Sequence, residues 1–229
     1  MGQYYKPIIL NEDKKPIAFV YSHSFGSGLK LMEHSWMKND FVGFVEQILF
    51  NTPNRLVWAG DYADEDIKLT KDQIKEILKE NEDYYKKNPE TKERDLKNLR
   101  ENGINMYDYA SRYAHEVSHS QEVENVYRHD FDLADPRKFK YLINFDKKEF
   151  VDKTKVPVSN TSEWEGETIE WIIHPLPLLT CEGNGRGGGD FRGNGRDLIG
   201  RWSRDKIGVV SRKSDIPKGF TEILFNLTE

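Results

Sequence analysis

The sequence predicts an α+β fold in which a mostly antiparallel, hairpin-rich sheet carries a core helix and a helical insertion. Apolar segments flank the polar turn of residues 11–15, a pattern typical of a β-hairpin. Apolar residues recur at helical spacing over residues 29–50, whereas interspersed charges at helical spacing dominate residues 67–101. We therefore expect a single domain spanning residues 1–229, with a helical insertion at residues 67–135.

The first part of the chain supplies the opening hairpin and the core helix. Residues 4–10 and 16–23 flank the turn and form the two predicted strands. Asn39 or Asp40 is the expected cap of the apolar part of the core helix. Residues 55–59 then predict a short strand.

The predicted insertion consists of helices, and sheet signals return after it. Thr70 followed by Gln73 resembles a capping box, which predicts a helix to about residue 85 and a second one to Arg100. The apolar spacing from Met106 to Val117 predicts another helix. The later strands are expected at residues 139–144, 149–152, 168–173, 198–202, 206–210 and 220–227.

Two turn segments resemble each other. Residues 9–17 (ILNEDKKPI) align with residues 142–150 (LINFDKKEF). One interpretation is an α/β unit repeated around the insertion. The alternative is that two hairpins share the same turn chemistry.

Composition limits the functional classes. The chain carries a net charge of −5, with 37% hydrophobic and 32% charged residues. It contains no apolar run near 18 residues, so we expect a cytoplasmic protein without a membrane partner. Cys181 is the only cysteine, which excludes an internal disulfide and a multi-cysteine zinc site. Its alternatives are a small buried residue and a nucleophile beside Glu182 and His174.

The strongest candidate for a binding site is a glycine-rich, arginine-containing loop at residues 183–197. Eight of the 17 glycines lie between Gly183 and Gly200, and such backbone can direct successive N–H groups at an anion. Nine Lys or Arg against four Asp between Gly183 and Lys218 concentrate positive charge there. A mobile connection is the alternative. The predicted ligand-binding residues are Gly185, Arg186, Gly187, Gly188, Gly189, Asp190, Phe191 and Arg192, together with His174 beside the loop.

Acidic residues provide a second hypothesis. Asp61 and Asp64 follow a predicted strand, where carboxylates that bind Mg²⁺ are often displayed. If they face the glycine-rich loop, Asp61, Asp64 and Asp190 with His174 could form a metal-assisted phosphoester or nucleotide hydrolase. The alternative is that these aspartates only begin a helix or turn.

A third hypothesis comes from the segment HEVSH. His115 and His119 match the HExxH pattern, in which two histidines on one helical face bind zinc and the intervening Glu116 activates water. The residues after His119 are polar, which is atypical of such helices. Two exposed histidines at a polar helix end are the alternative.

Four motifs are distributed along the chain: the start MGQYY, the segment GLKLM at residues 28–32, VWAGDYA at residues 57–63 and HPLPLL followed by GNGRGGGDF at residues 174–191. Together they resemble those of a family of small phage and bacterial proteins. The resemblance covers most of the chain and is loosest in the middle. It implies a small accessory protein, a class that often inhibits host defence, and it brings no catalytic residues or cofactor with it.

These observations favour a protein that binds an anionic, nucleotide-like molecule or a nucleic-acid-binding host protein through the glycine-rich loop. The alternatives are the metal-assisted hydrolase, the zinc hydrolase and an interaction protein that binds a host protein through the charged helices of residues 67–101. The sequence identifies neither the ligand nor the oligomeric state.

Overall fold

The computed structural model describes residues 1–118 and 138–227. The strands are β1 (Tyr5–Leu10), β2 (Pro16–Phe19), β3 (Asn54–Gly60), β4 (His115–Glu116), β5 (Tyr141–Asn144), β6 (Glu149–Asp152), β7 (Asn160–Trp164), β8 (Glu167–Trp171), β9 (Cys181–Glu182), β10 (Lys206–Val210) and β11 (Thr221–Glu222). The helices are α1 (Leu31–His34), α2 (Asp40–Asn51), α3 (Lys71–Glu80), α4 (Glu82–Lys87), α5 (Pro89–Glu101), α6 (Met106–Tyr113) and α7 (Pro175–Thr180). The predicted α+β class with mostly antiparallel strands is confirmed.

The main sheet has the order β11-β6-β5-β10-β3-β1-β2-β4, and its pairing pattern repeats. In each half a hairpin, β1–β2 or β5–β6, pairs antiparallel with a central strand, β3 or β10. The outer strand of each hairpin pairs parallel with a two-residue edge strand, β4 or β11. The central strands β3 and β10 are antiparallel to each other, so the two halves are related by an internal two-fold pattern.

The two similar turn segments occupy equivalent places in these halves, although their turns differ. In the first hairpin the Asn11 side chain accepts the Lys15 N–H at 2.9 Å, and in the second the Asn144 side chain accepts the Lys147 N–H at 2.8 Å. The side-chain hydrogen bond therefore spans four positions in the first turn and three in the second. The strand pairing is therefore that of a repeated unit, whereas the shared letters of the turns adopt different local geometries.

The sheet separates two apolar layers. Leu56 and Trp58 of β3 face a core shared with α2 and α7, while Val57 and Ala59 face α6. This division follows from the alternation of side chains along a strand. Trp58 and Trp202 are both fully buried in the larger core.

The predicted core helix at residues 29–50 is interrupted. Asn39 caps α2 by accepting the Val42 N–H at 3.3 Å, as expected. Before it, helical structure is limited to α1, because Trp36 forms a β-bridge with Ile173 and leaves the helical path. The apolar spacing of residues 29–36 therefore reflects burial and does not reflect one continuous helix.

The helical insertion is confirmed over α3 to α6, and Thr70 and Gln73 form the predicted capping box. The helix expected to reach Val117 ends at Tyr113, because His115 and Glu116 pair with β2. The part of the insertion from residue 119 to residue 135 lies outside the described residues.

Two later predictions also need correction. Residues 198–202 form turns instead of a strand, and Gly200 takes a φ of 73° there. Residues 220–227 contribute only the short strand β11. Within residues 1–118 and 138–227, none of the helices has the length and apolar character required to cross a membrane.

Candidate functional site

The glycine-rich loop follows α7 and β9 and is held against the beginning of the chain. Gln3 N donates to Gly188 O at 3.1 Å, and Gly188 N donates to Met1 O at 3.0 Å. Met32 N donates to Gly189 O at 3.0 Å on the other side. These backbone hydrogen bonds fix the middle of the loop, so the mobile-connection alternative does not describe it.

Asp190 organises the loop from inside. Its Oδ2 accepts hydrogen bonds from the backbone N–H groups of Gly185, Arg186 and Gly187 at 2.8, 2.9 and 2.9 Å. The Asp190 side chain is itself buried. The N–H groups that the sequence predicts to bind an external anion therefore bind an internal one, and that part of the prediction is wrong.

Gln3 and Tyr5 complete this buried network. In the amide orientation that satisfies its neighbours, Gln3 Nε2 donates to Asp190 Oδ2 and to Gly183 O, both at 2.9 Å. Burial and the Asp190 carboxylate raise the pKa of Tyr5, so the phenol stays protonated. Gly187 lies close to the Gln3 backbone, and a Cβ at this position would be 2.7 Å from the Gln3 backbone nitrogen. A glycine is therefore required there.

The outer side of the loop borders a cleft of about 520 Å³. Asn184 closes the turn beside it, since its amide donates to Phe191 O at 3.1 Å and accepts from Phe191 N at 2.9 Å. Phe191 packs against the main core and also lines the cleft. We call this the loop cleft, and its lining residues are Cys181, Gly183, Asn184, Gly185, Phe191, Arg192, Gly193, Arg196 and Ile199.

Arg186, Arg201 and Arg204, which precede or follow the cleft-lining arginines in the chain, are paired with carboxylates. Arg186 makes two parallel hydrogen bonds to Asp64, at 2.8 and 3.1 Å. This arrangement is the bidentate geometry in which arginine pairs best with a carboxylate. The other paired arginines are Arg201 with Glu149, and Arg204 with Glu182 and Asp66.

Arg192 and Arg196 have no such partner. Arg192 donates to the backbone oxygen of Gly187 at 3.1 Å, which uses one of its five donors. Among residues 1–118 and 138–227, neither guanidinium group is within ion-pair distance of a carboxylate, and both side chains are exposed. Within residues 1–118 and 138–227, the two positive charges of the loop cleft therefore have no carboxylate partner.

The predicted ligand-binding residues are thus divided by the structure. Gly185, Phe191 and Arg192 line the loop cleft. Arg186 is directed to Asp64 and to the Tyr62 backbone oxygen, and it does not line the cleft. Gly187, Gly188 and Gly189 pack against the beginning of the chain and Lys30.

His174 lies in a different buried cluster. Its Nδ1 accepts the Leu176 N–H at 3.1 Å and so caps α7. Its Nε2 lies 3.3 Å from Glu46 Oε1, and Lys153 Nζ lies 2.5 Å from the same oxygen. The prediction that His174 lines a ligand pocket beside the loop is wrong, because the side chain is enclosed between α2 and α7.

The charged cluster of Glu46, Lys153 and His174 is missed by sequence reasoning. Burial would raise the pKa of Glu46, but Lys153 and His174 lower it overall. Burial lowers the pKa of His174, so we assign a neutral imidazole. One signal was present: Glu46 interrupts the apolar face of α2 between Val42 and Leu49.

The proposed hydrolase residues are each engaged by different partners. Asp61 accepts the Tyr4 N–H at 3.0 Å, while Asp64 is engaged by Arg186. Burial raises the pKa of Asp61, although the Tyr4 hydrogen bond opposes this effect. Since Asp190 is committed to the loop N–H groups, the three carboxylates have separate structural roles. In the described parts of the chain, no group of three or more His, Cys, Asp or Glu residues has metal-binding geometry.

The HExxH hypothesis requires His115 and Glu116 to lie on a helix, and they do not. His115 and Glu116 form strand β4, so their side chains point to opposite faces of the sheet. His119 lies outside the described residues. The expectation that His115 and Glu116 sit on a helix is therefore wrong.

Cys181 is buried, and burial raises the pKa of its thiol to about 12. Its Sγ donates to the Leu178 backbone oxygen at 3.3 Å. At neutral pH the residue is a protonated thiol, which is a poor nucleophile. The buried structural role is favoured over the nucleophile.

No family model, curated protein or solved structure matches this chain.

Proposed function

We propose that this protein binds an anionic, phosphate-bearing ligand in the loop cleft. The observation that carries the proposal concerns the arginines between residues 183 and 204. Arg186, Arg201 and Arg204 are paired with carboxylates, whereas Arg192 and Arg196, which line the cleft, have no carboxylate partner among the described residues. Guanidinium groups without a carboxylate partner are suited to bind phosphate with two parallel hydrogen bonds. Arg192 and Arg196 therefore replace Arg186 as the expected ligand-binding cations.

The buried network on the inner side of the loop supports this function. Asp190 binds three successive N–H groups and thereby holds the backbone on which the cleft is built. A cleft that is formed before ligand arrives avoids the entropic cost of ordering a loop on binding. The conformation of the glycine-rich segment thus favours a preformed site.

Phe191 supports a nucleotide-like ligand in particular. Its ring lines the loop cleft next to Arg192, and the Asn184 hydrogen bonds fix its backbone. Aromatic rings that flank a positive groove stack on nucleobases. We propose that Phe191 contacts the base or ring of the ligand while the arginines bind its phosphates.

Binding is favoured over hydrolysis because of the chemistry of the lining. Among the described residues, those that line the loop cleft include no carboxylate or imidazole that could act as a general base. Cys181, the remaining reactive group, is a protonated thiol. A cytoplasmic, phage-type accessory protein that sequesters a nucleotide signal and so inhibits host defence is the wider role that fits this proposal.

Native mass spectrometry tests the proposed ligand class. The purified protein is sprayed with a nucleotide mixture, with inorganic phosphate and with adenosine in separate runs. We expect a nucleotide adduct on the wild type, none with adenosine, and none on the Arg192→Ala/Arg196→Ala variant. The Arg186→Ala variant is the matched control and should retain the adduct. A wild type that carries no phosphate-bearing ligand, or a double variant that binds as the wild type does, would contradict the proposal.

A further inference from the structure

The hairpin β7–β8 forms a separate two-stranded sheet outside the main one. Every residue of both strands is exposed. Its turn is well defined, since Glu165 and Gly166 have φ values of 51° and 83°. Two consecutive residues with positive φ are typical of a primed turn, whose twist matches that of the flanking strands.

The hairpin has one apolar face and one polar face. Directly opposite residues of an antiparallel pair lie on the same face, and the pairs Trp164 with Glu167 and Ser162 with Ile169 belong to the face that also carries Trp171. The opposite face consists of Thr161, Glu163, Thr168 and Glu170. Such alternation is typical of a strand pair with one covered face.

Among residues 1–118 and 138–227, the contacts with the apolar face are at its base. The Trp171 ring packs against Trp36 with centroids 5.4 Å apart, and its indole N–H donates to Ser162 Oγ at 2.8 Å. Trp164, in contrast, is 68% exposed. Its side chain makes no hydrogen bond or ring contact with any residue in the described part of the chain. The outer half of an ordered apolar face is therefore open to solvent.

The charge of the hairpin restricts what can cover this face. Residues 160–171 contain four glutamates and neither lysine nor arginine. Like charges disfavour the same face of a second copy, and they also disfavour nucleic acid and anionic lipid. Exposed tryptophan surrounded by charge is characteristic of protein interfaces, where a tryptophan often contributes most of the binding energy.

We propose that the apolar face of β7–β8 docks on a basic surface of a partner protein, with Trp164 as its central anchor. Glu167 of the same face and Glu165 of the turn supply the negative charge beside it. This surface is distinct from the loop cleft. The inference does not depend on ligand binding there.

Selection from a displayed library of random 12-residue peptides tests the proposal with the intact protein as bait. The selected peptides are then titrated against the wild type and two variants. We expect peptides with a net positive charge whose affinity falls roughly 30-fold in Trp164→Ala. Their affinity should also fall in Glu165→Gln/Glu167→Gln, which removes the two charges beside Trp164 and retains the shape of the hairpin. The Glu90→Gln/Glu93→Gln variant removes two exposed charges from α5 and should bind as the wild type does.

Three results would overturn the inference. The first is a selection that yields no binding peptide. The second is a set of neutral or acidic peptides, and acidic peptides that are lost in Arg192→Ala/Arg196→Ala would identify the loop cleft as their site. The third is a set of basic peptides that bind Trp164→Ala as tightly as the wild type. Circular dichroism of each variant checks that the fold is retained.

Discussion

The buried Asp190 carboxylate accepts hydrogen bonds from three successive backbone N–H groups of the glycine-rich loop. The sequence predicts that these groups bind the anion of a ligand, whereas the anion they bind is a carboxylate five residues or fewer away. The sequence could not distinguish the two cases, because an internal carboxylate and an external phosphate both accept hydrogen bonds from successive backbone N–H groups. Arg186 was misassigned for a related reason, since its partner Asp64 lies 122 positions away in the chain.

Replacement of Asp190 tests its role within the loop. Asp190→Ala leaves three N–H groups without their acceptor, so we expect a loss of about 3 kcal/mol in the free energy of unfolding, measured with urea. Asp197→Ala is the control, because Asp197 is an exposed residue of the same loop and should change stability by less than about 0.5 kcal/mol. Equal stability of the two variants would contradict the structural role of Asp190.

His34 makes stability depend on pH. The imidazole is buried, its Nε2 accepts the Trp58 indole N–H at 2.9 Å and its Nδ1 lies 2.9 Å from Gly28 O. Burial lowers its pKa from 6.5 to about 4. Because the unfolded chain binds this proton more tightly, the stabilisation is present above pH 6.5 and is lost as the pH falls towards 4, by up to about 3 kcal/mol. Urea unfolding at pH 7.5 and pH 4.5 measures the loss, and an NMR titration of His34 with a pKa above 6 would contradict it.

At the scale of secondary-structure elements, predictions succeeded where the signal is local. The Asn39 cap, the Thr70 capping box and the two hairpins all depend on residues within four positions of each other. The predictions failed where contacts with residues far away in the sequence determine the structure. The helix predicted to Val117 ends early because β4 pairs with β2, which is about 97 residues away in the chain. The buried position of His174 likewise depends on a residue far away in the sequence, Glu46.

The cluster of Glu46, Lys153 and His174 joins α2 to α7 and predicts a non-additive mutational effect. Glu46→Gln leaves Lys153 buried without a carboxylate, so we expect a loss of about 3–5 kcal/mol in the free energy of unfolding. Glu46→Leu/Lys153→Met removes both charges and should be less destabilised than Glu46→Gln. If the loss in the double variant equals the sum of the losses in Glu46→Leu and Lys153→Met, the two charges are not coupled.

At the scale of the whole molecule, the two halves meet at β3 and β10. Arg55 of β3 contacts Glu12 and Asp146, which lie in the turns of the two equivalent hairpins, and Lys206 of β10 contacts Glu12 at 2.7 Å. The α+β class and the similarity of the two hairpins could be predicted from the sequence. The antiparallel junction of the central strands could not, because it joins segments about 150 residues apart.

This junction predicts one cooperative unfolding transition for both halves. The sheet is continuous through β3 and β10, and the larger apolar core contains residues from both halves, including Trp58 and Trp202. Near-ultraviolet circular dichroism and tryptophan fluorescence should therefore give coincident urea transitions. Separate transitions would show that the halves unfold independently.

The central claim is that Arg192 and Arg196 make the loop cleft a site for a phosphate-bearing ligand. Isothermal titration calorimetry with ATP tests it most directly, on the wild type, Arg192→Ala/Arg196→Ala and Arg186→Ala. We predict saturable binding to the wild type and to Arg186→Ala that weakens with added salt, and no measurable binding to the double variant. Equal affinity of the wild type and the double variant, or loss of binding only in Arg186→Ala, would contradict this account.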